Sequence, residues 1–150
     1  MPVNAREFLD QLRIETNEIL NAWDRTLRKG ALELSRQVIL GTPVDTGRAR
    51  GAWYASLGSP SLVVGDATDQ SGATALGRAI PIAQGFQAGQ RFYVTNNVPY
   101  GPILEGGRRF DAVANRVVGS LQAPDGWVRQ SVQRVDRAFP ALAAQEGLTL

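Results

Sequence analysis

The stretch LNAWDRTLRKGALELSRQVILGTP, residues 20–43, carries the longest helical pattern in the chain. Apolar side chains recur along it at intervals of three or four residues: Leu20, Trp23, Leu27, Ala31, Leu34 and Val38. This spacing places them on one face of a helix, because an α-helix completes a turn in about 3.6 residues. Gly41 favours a C-terminal cap, and Pro43 cannot continue the helix, so the pattern predicts a helix end there.

The same pattern extends upstream through Phe8, Leu9, Leu12 and Ile19, which predicts one helix over residues 4–40. At about 1.5 Å per residue, such a helix is about 55 Å long. One small domain cannot cover its whole apolar face, so we expect part of that face to pack on another copy of the chain. The alternative is two shorter helices that separate near Gly30, because glycine is a weak helix former.

After residue 43 the apolar period changes to that of β-strands. The predicted strands cover residues 52–57, 61–65 and 91–96, and the first two form a hairpin about Gly58-Ser59-Pro60. Residues 65–90 are rich in glycine and in small or polar side chains, which oppose a packed core. We expect a flexible, surface-exposed excursion there, with a short helix in the apolar patch 73–82.

The last third of the chain is helical in pattern. We expect a single helical turn at 103–105, a short amphipathic helix marked by Val113, Val117 and Leu121, and a final helix that starts from Asp125. The tail from Gly147 is predicted to fray. This order of elements predicts one α+β domain over residues 1–150, with a long N-terminal helix and a C-terminal helix packed on a small antiparallel β-sheet.

The composition narrows the classes of function. The 150-residue chain has no histidine and no cysteine, which removes the commonest proton shuttle, the thiolate nucleophile and the usual ligands of zinc, iron and copper. Asp66 and Asp69 lack the third acidic ligand of a cation site, which favours a turn-forming role for both. The formal net charge of +2 is too small for a strongly basic field. Serine or lysine nucleophiles, carboxylate pairs and all-oxygen cation sites remain open, so the composition makes an enzyme less favoured without excluding one.

The N-terminal residues have neither a signal-peptide nor a transit-peptide pattern. No apolar run approaches the roughly 18 residues of a membrane span. The sequence therefore predicts a protein that is made and kept in the cytoplasm, or that leaves it by a route other than secretion.

The segment TPVDTGRARGAW, residues 42–53, is the most informative part of the chain. Asp45 can bond the backbone that follows it, Gly47 suits a tight turn, and the guanidinium of Arg48 matches a carboxylate. An ordered corner between a helix and a strand explains these residue types fully. Alone, the segment indicates nothing more.

With the rest of the chain, this segment resembles the neck or tail-completion proteins of long-tailed bacteriophages. The resemblance rests on the long N-terminal helix, on the Thr-Pro-Val-Asp-Thr-Gly-Arg-x-Arg-x-x-Trp segment, on VPYGPILEGG at 98–107, and on APDGW at 123–127 before a helix. In that family the second element is usually Pro-Tyr-Ala, followed by a glutamate and an aromatic-Gly-Thr. This chain has Gly101 in place of the alanine and Gly106-Gly107-Arg108 at the end.

The resemblance implies a structural virion protein at the head-to-tail junction and not an enzyme, with no catalytic residue, no metal and no cofactor. Such a protein assembles in the cytoplasm of the bacterial host as a ring of six or twelve copies, through which DNA passes without sequence-specific binding. Its other partners are head-closure proteins and tail-tube or terminator proteins. The interface or structural candidates are Trp23, Leu27, Asp45, Gly47, Arg48, Trp53, Tyr100, Glu105 and Trp127.

Three other functions stay open. A tail terminator, which caps the polymerised tail tube, belongs to the same class of virion protein. A small DNA-binding accessory protein would use the 15 arginines, although 14 acidic residues nearly balance them. An acid-pair hydrolase would need two carboxylates such as Glu105 and Asp111, which form no paired motif.

Overall fold

The computed structural model describes residues 4–118 and 125–150. Its elements are α1 (Ala5–Gly41), α2 (Arg48–Gly51), β1 (Trp53–Leu57), α3 (Ala73–Gln84), β2 (Phe92–Asn96), α4 (Gly101–Glu105), β3 (Arg109–Asp111), β4 (Arg116–Val118) and α5 (Trp127–Gln145). Two antiparallel pairs, β1 with β2 and β3 with β4, form two small sheets. The predicted α+β class, with its long N-terminal and C-terminal helices, is confirmed. No helix within the described ranges has both the length and the apolar character that a bilayer crossing requires.

Helix α1 is continuous over 37 residues, so the prediction of one long helix is confirmed and the alternative of two shorter helices is wrong. Gly30 does not interrupt it, because this glycine is used for close packing. A Cβ atom added at Gly30 would lie 3.2 Å from the ring of Phe139 in α5. Seven residues earlier, or about two helical turns, Trp23 stacks on the same Phe139 ring, with ring centroids 6.4 Å apart. The aromatic side chains therefore fill the space that the glycine leaves open.

Helices α1 and α5 run antiparallel. At the start of α5, the indole N–H of Trp127 donates to the carbonyl oxygen of Val38, near the end of α1. Just past the end of α5, the carboxylate of Glu146 pairs with Arg25 and Lys29 near the middle of α1. Residues 5–20 of α1 therefore extend beyond the end of α5.

The core lies where the C-terminal half of α1 meets β1, α3 and α5. Its buried members are Val38, Ile39, Trp53, Ala75, Ala79 and Trp127. The two core residues of α3 are alanines four residues apart, and small side chains at this spacing let the backbone of one helix approach its neighbours closely. The cluster joins residues from four separate parts of the chain into one core.

Helix α3 corrects part of the prediction for residues 65–90. Ala75, Ala79 and Ala83 are buried, so this part of the segment belongs to the packed fold and is not an exposed excursion. The residues after α3 are also held, because the carboxylate of Asp24 accepts the backbone N–H of Ala88 at 2.7 Å. The flexibility of the segment in solution stays a prediction.

The predicted strand over 61–65, and with it the hairpin about Gly58-Ser59-Pro60, is wrong. The partner of β1 is β2, which comes much later in the chain. The backbone carbonyls of Ser61 and Val63 instead accept hydrogen bonds from the side-chain amide of Asn97. Side-chain donors thus replace the ladder that a strand at 61–65 would need, and residues 62–64 remain exposed.

The predicted amphipathic helix over 113–121 is also wrong in its described part, where β3 and β4 form a hairpin. The carboxylate of Asp111 accepts the backbone N–H groups of Val113 and Ala114, and Asn115 adopts a φ of 47°. Both features are typical of a turn. Leu121, the last residue of that prediction, lies outside the described residues.

The N-terminal part of α1 is exposed along its whole length. Every side chain over residues 5–20, which we call the arm, is solvent-exposed. Its large apolar members are Phe8, Leu9, Leu12, Ile14, Ile19 and Leu20, each at least 42% exposed. One chain therefore leaves part of the apolar face of α1 uncovered, as the length of the helix predicted. That the arm packs on another copy stays a prediction.

We expect Gly30→Leu to destabilise the fold by about 1–3 kcal/mol, because the new side chain would force Phe139 and α5 away from α1. The matched control is Gly77→Leu, at a helical glycine with no atom within 4 Å of an added Cβ. That substitution should be neutral or stabilising, because leucine is the better helix former. Urea unfolding measures both changes. A Gly30→Leu variant as stable as the wild type would contradict the close packing of the two helices.

Candidate functional site

The two sequence segments that carry the resemblance meet at one end of the molecule. We call this region the helix junction: residues 42–53 and 98–107, together with the end of α1 and the start of α5. Trp53, from the first segment, and Trp127, from the start of α5, belong to the same buried cluster. Glu105, from the second segment, binds the first backbone amides of α5. Residues that are far apart in sequence are thus in direct contact.

Thr42 and Trp53 fix the corner between α1 and β1. The hydroxyl of Thr42 donates to the carbonyl oxygen of Val38 at 2.6 Å and accepts the indole N–H of Trp53 at 2.7 Å. All three residues are buried. A buried indole N–H needs a partner, and here the threonine supplies it. The corner therefore depends on the threonine and the tryptophan that begin and end the first segment.

Arg50 satisfies the free carbonyl groups at the end of α1. Its guanidinium donates to the carbonyl oxygens of Leu40 and Thr42, and also to that of Gln70. A cation is favourable here because the C-terminal end of a helix carries partial negative charge. The sequence predicted no role for Arg50. The last turn of α1 contains no basic side chain, and this was the sequence signal that a cation from another segment could bind its carbonyl groups.

Gly47 and Gly51 allow another loop to lie directly on the corner. A Cβ atom added at Gly47 would lie 2.7 Å from the backbone nitrogen of Gln70, and one at Gly51 would lie 2.6 Å from the carbonyl oxygen of Ala67. Gly47 also has a φ of 87°, which larger residues rarely adopt. These glycines therefore bring residues 67–70 into contact with the segment that follows α1.

Asp69, on that loop, caps the start of α3. Its buried carboxylate accepts the N–H of Gly72 at 2.8 Å, the N–H of Ala75 at 3.0 Å and the hydroxyl of Ser71 at 3.1 Å. Desolvation raises the pKa of this carboxyl, but the hydrogen bonds from Ala75, Ser71, Gly72 and Thr74 outweigh that effect and hold the pKa below its ordinary value. The sequence favoured a turn-forming role for Asp69, and the geometry shows its side chain holding the turn that leads into α3.

Asp45 and Arg48 lie exposed on the outside of the corner. The hydrogen bond expected from Asp45 is made by its neighbour, because the hydroxyl of Thr46 accepts the backbone N–H of Arg48 at 3.4 Å. Within the described part of the chain, neither Asp45 nor Arg48 forms a side-chain ion pair. A contact of Arg48 with a neighbouring subunit stays a prediction.

Glu105 caps α5 from the second segment. Its two carboxylate oxygens accept the backbone N–H groups of Val128 at 3.0 Å and Arg129 at 3.1 Å. Negative charge is stabilising at this end of a helix, where the first amides have no partner within the helix. The prediction that α5 starts from Asp125 is corrected: Gly126, with a φ of 69°, is the N-cap residue, and the capping carboxylate comes from Glu105.

Other candidate residues lie at or away from the junction. Tyr100 is half-buried just before α4, and its carbonyl oxygen accepts the N–H groups of Ile103 and Leu104. Trp23 and Leu27 lie near the middle of α1, half-buried on the side of α5. The helix junction thus gathers Gly47, Trp53, Tyr100, Glu105 and Trp127, whereas Trp23 belongs to the contact between the two long helices and Leu27 lies one turn further along α1.

A mainly apolar cavity of about 230 Å³ lies between the two segments. Side chains from both of them line it, including Thr42, Trp53, Val98, Leu104, Glu105 and Trp127. The polar groups of Thr42, Trp53 and Glu105 are engaged in the hydrogen bonds described above. Among the residues that the structure describes, no three or more Asp or Glu side chains are grouped to hold a metal ion.

We expect Asp69→Asn to destabilise the fold by about 1–3 kcal/mol near pH 6, because it removes a charged hydrogen-bond acceptor at the start of α3. The folded-state pKa of Asp69 is depressed, so its contribution is present above the unfolded pKa of 3.8 and is lost as pH falls through the lower folded pKa. The difference between variant and wild type should therefore shrink toward pH 2.

Chemical denaturation at a series of pH values measures this difference. The control is Asp66→Asn, at an exposed position nearby, which should change the free energy of unfolding by no more than about 0.5 kcal/mol. A difference for Asp69→Asn that stays constant from pH 6 to pH 2 would count against the capping role.

We expect Glu105→Ala to cost about 0.5–2 kcal/mol of stability, because two backbone amides at the start of α5 lose their acceptor. Glu105→Gln should cost less, since its amide oxygen still accepts one of the two hydrogen bonds. Thermal melting followed by circular dichroism ranks the two variants. Equal stability of the wild type and Glu105→Ala would show that the cap contributes nothing.

Comparisons of the chain with protein-family models, with curated proteins and with solved structures gave no match.

Proposed function

We propose that this chain is a structural protein of a long-tailed bacteriophage virion, located at the head-to-tail junction. Its copies form a closed ring around the DNA channel and join or complete the tail, and its role does not involve turnover of a substrate. The observation that carries the proposal is the helix junction, in which the residues that resemble the neck and tail-completion family contact one another.

The chemistry at the helix junction suits a subunit whose task is to hold a shape. Thr42, Trp53 and Glu105 use their polar groups to fasten the ends of the two long helices. Gly47 lets a third segment approach the same corner. Such hydrogen bonds fix the angles between helices, and fixed angles are what a closed ring of identical subunits requires.

Exposed apolar surface supports assembly. Besides the arm, the chain exposes Leu62, Val63 and Val64, together with Phe110 and Val117 of the β3–β4 hairpin. Clusters of exposed apolar side chains on a small protein mark surfaces that contact other molecules. The proposed ring would cover such surfaces with neighbouring copies and with the adjoining head-closure and tail proteins.

The ring should be visible in the purified full-length protein. We expect light scattering to give the mass of six or twelve chains of 16.2 kDa, and negative-stain electron microscopy to show closed rings with a central channel. A protein that stays monomeric up to its solubility limit, and that binds neither phage heads nor phage tails, would contradict the proposal.

Two binding measurements separate the proposal from its alternatives. Binding of the ring to DNA-filled heads supports the neck role, whereas binding only to free ends of tail tubes indicates a tail terminator. Tight duplex DNA binding that weakens steeply with salt, by about 0.9 logarithmic units for each neutralised phosphate, would instead favour the DNA-binding accessory protein.

A further inference from the structure

The apolar face of the arm continues an interface that the chain already uses. Successive residues of a helix are rotated by about 100°, which puts Leu12 and Ile19 on the same side of α1 as Trp23 and Gly30. Trp23 and Gly30 contact Phe139 of α5. Because α5 ends at Gln145, beside the middle of α1, no helix among the described residues packs on the part of this face that lies in the arm.

The β3–β4 hairpin presents a second apolar surface. We call residues 108–118 the hairpin. Phe110 and Val117 are directly opposed across the two strands, which places both side chains on one face. They are 62% and 53% exposed, and Val113 in the turn is 99% exposed. The hairpin therefore exposes an apolar face to solvent, and such a face favours contact with another molecule.

The two surfaces carry opposite charge. The arm contains four carboxylates and two arginines, for a net charge of −2, and the hairpin contains three arginines and one carboxylate, for a net charge of +2. Pairing two arms, or two hairpins, would bring like charges together. Pairing an arm with a hairpin brings opposite charges together, which favours that combination over both alternatives.

The arm and the hairpin of one chain lie at opposite ends of the molecule. The hairpin follows Gly107, where an added Cβ would lie 2.9 Å from the Cβ of Asp125, just before α5 and near the end of α1. The arm occupies the other end of α1, a helix about 55 Å long. A contact between them must therefore join two different copies.

On these grounds we propose that the arm of one copy binds the hairpin of the next. The contact is head-to-tail, since it uses two different surfaces, and repetition of such a contact closes into a ring when the rotation between copies allows it. The inference rests on the proposed ring function and names the surfaces through which the ring is built.

Single substitutions test the two surfaces separately in the full chain. Leu12→Asp, on the arm, and Phe110→Asp, on the hairpin, should each reduce the assembled species to single chains of 16.2 kDa. The matched controls are Ile14→Asp, on the opposite side of the arm, and Val132→Asp, at an exposed position of α5. Both controls replace exposed apolar residues and should assemble like the wild type.

Mixing the two disrupted variants gives the decisive result. Leu12→Asp retains an intact hairpin and Phe110→Asp retains an intact arm, so an equimolar mixture should form a 1:1 pair and stop at twice the mass of one chain. If Phe110→Asp assembles like the wild type while Leu12→Asp does not, arms bind arms and the proposed contact is wrong, although the ring function stands. A wild type that is monomeric and binds neither heads nor tails removes both.

Charge reversal keeps the test valid if Phe110→Asp fails to fold. Glu15→Lys with Glu18→Lys on the arm, or Arg108→Glu with Arg109→Glu on the hairpin, should each raise the concentration for half-assembly by about tenfold. All four substitutions in one chain restore opposite charges and should return that concentration to near the wild-type value. Failure of the fourfold variant to recover, with circular dichroism unchanged, would overturn the pairing of arm and hairpin.

Discussion

The free carbonyl groups at the end of α1 are the constraint on which the rest of the fold depends. A helix of any length leaves its last carbonyls without partners, and in a buried position each one needs a donor. Three donors meet there: the hydroxyl of Thr42 and the indole of Trp127 at Val38, and the guanidinium of Arg50 at Leu40 and Thr42. Each donor also anchors its own segment, so one helix end attaches the following corner, the short helix α2 and the start of α5.

The starts of the helices follow the same principle with the opposite charge. Asp69 supplies the anion for α3, and Glu105 supplies it for α5, from a segment that lies more than 20 residues earlier in the sequence. Neither helix has an acidic residue in its own first turn. Both carboxylates supply acceptors for backbone amides that would otherwise be buried without partners, and Glu105 in addition fixes the position of a segment far along the chain.

The parts of the fold that local pattern controls were predictable from the sequence. The period of apolar residues gave α1, the helical turn at 103–105 and most of α5. The contacts that long-range hydrogen bonds control were not predictable. Residues 61–65 have the composition of a strand, yet the side chain of Asn97 holds their carbonyls, and Asp111 turns the chain where Val113 and Val117 suggested a helix. At the site, Trp53 and Trp127 were identified from the resemblance, whereas Arg50 was missed because its partners are backbone carbonyls, which leave no trace in side-chain patterns.

The unbroken course of α1 through Gly30 makes the helix a lever. A tilt of about 5° in the contact between two copies moves the far end of a rod of about 55 Å by about 5 Å. A ring built through the two ends of such rods would adjust its diameter by small changes of the angle between copies, while the packing inside each copy stays the same. In the proposed head-to-tail ring, this geometry would let one subunit shape fit rings of different circumference.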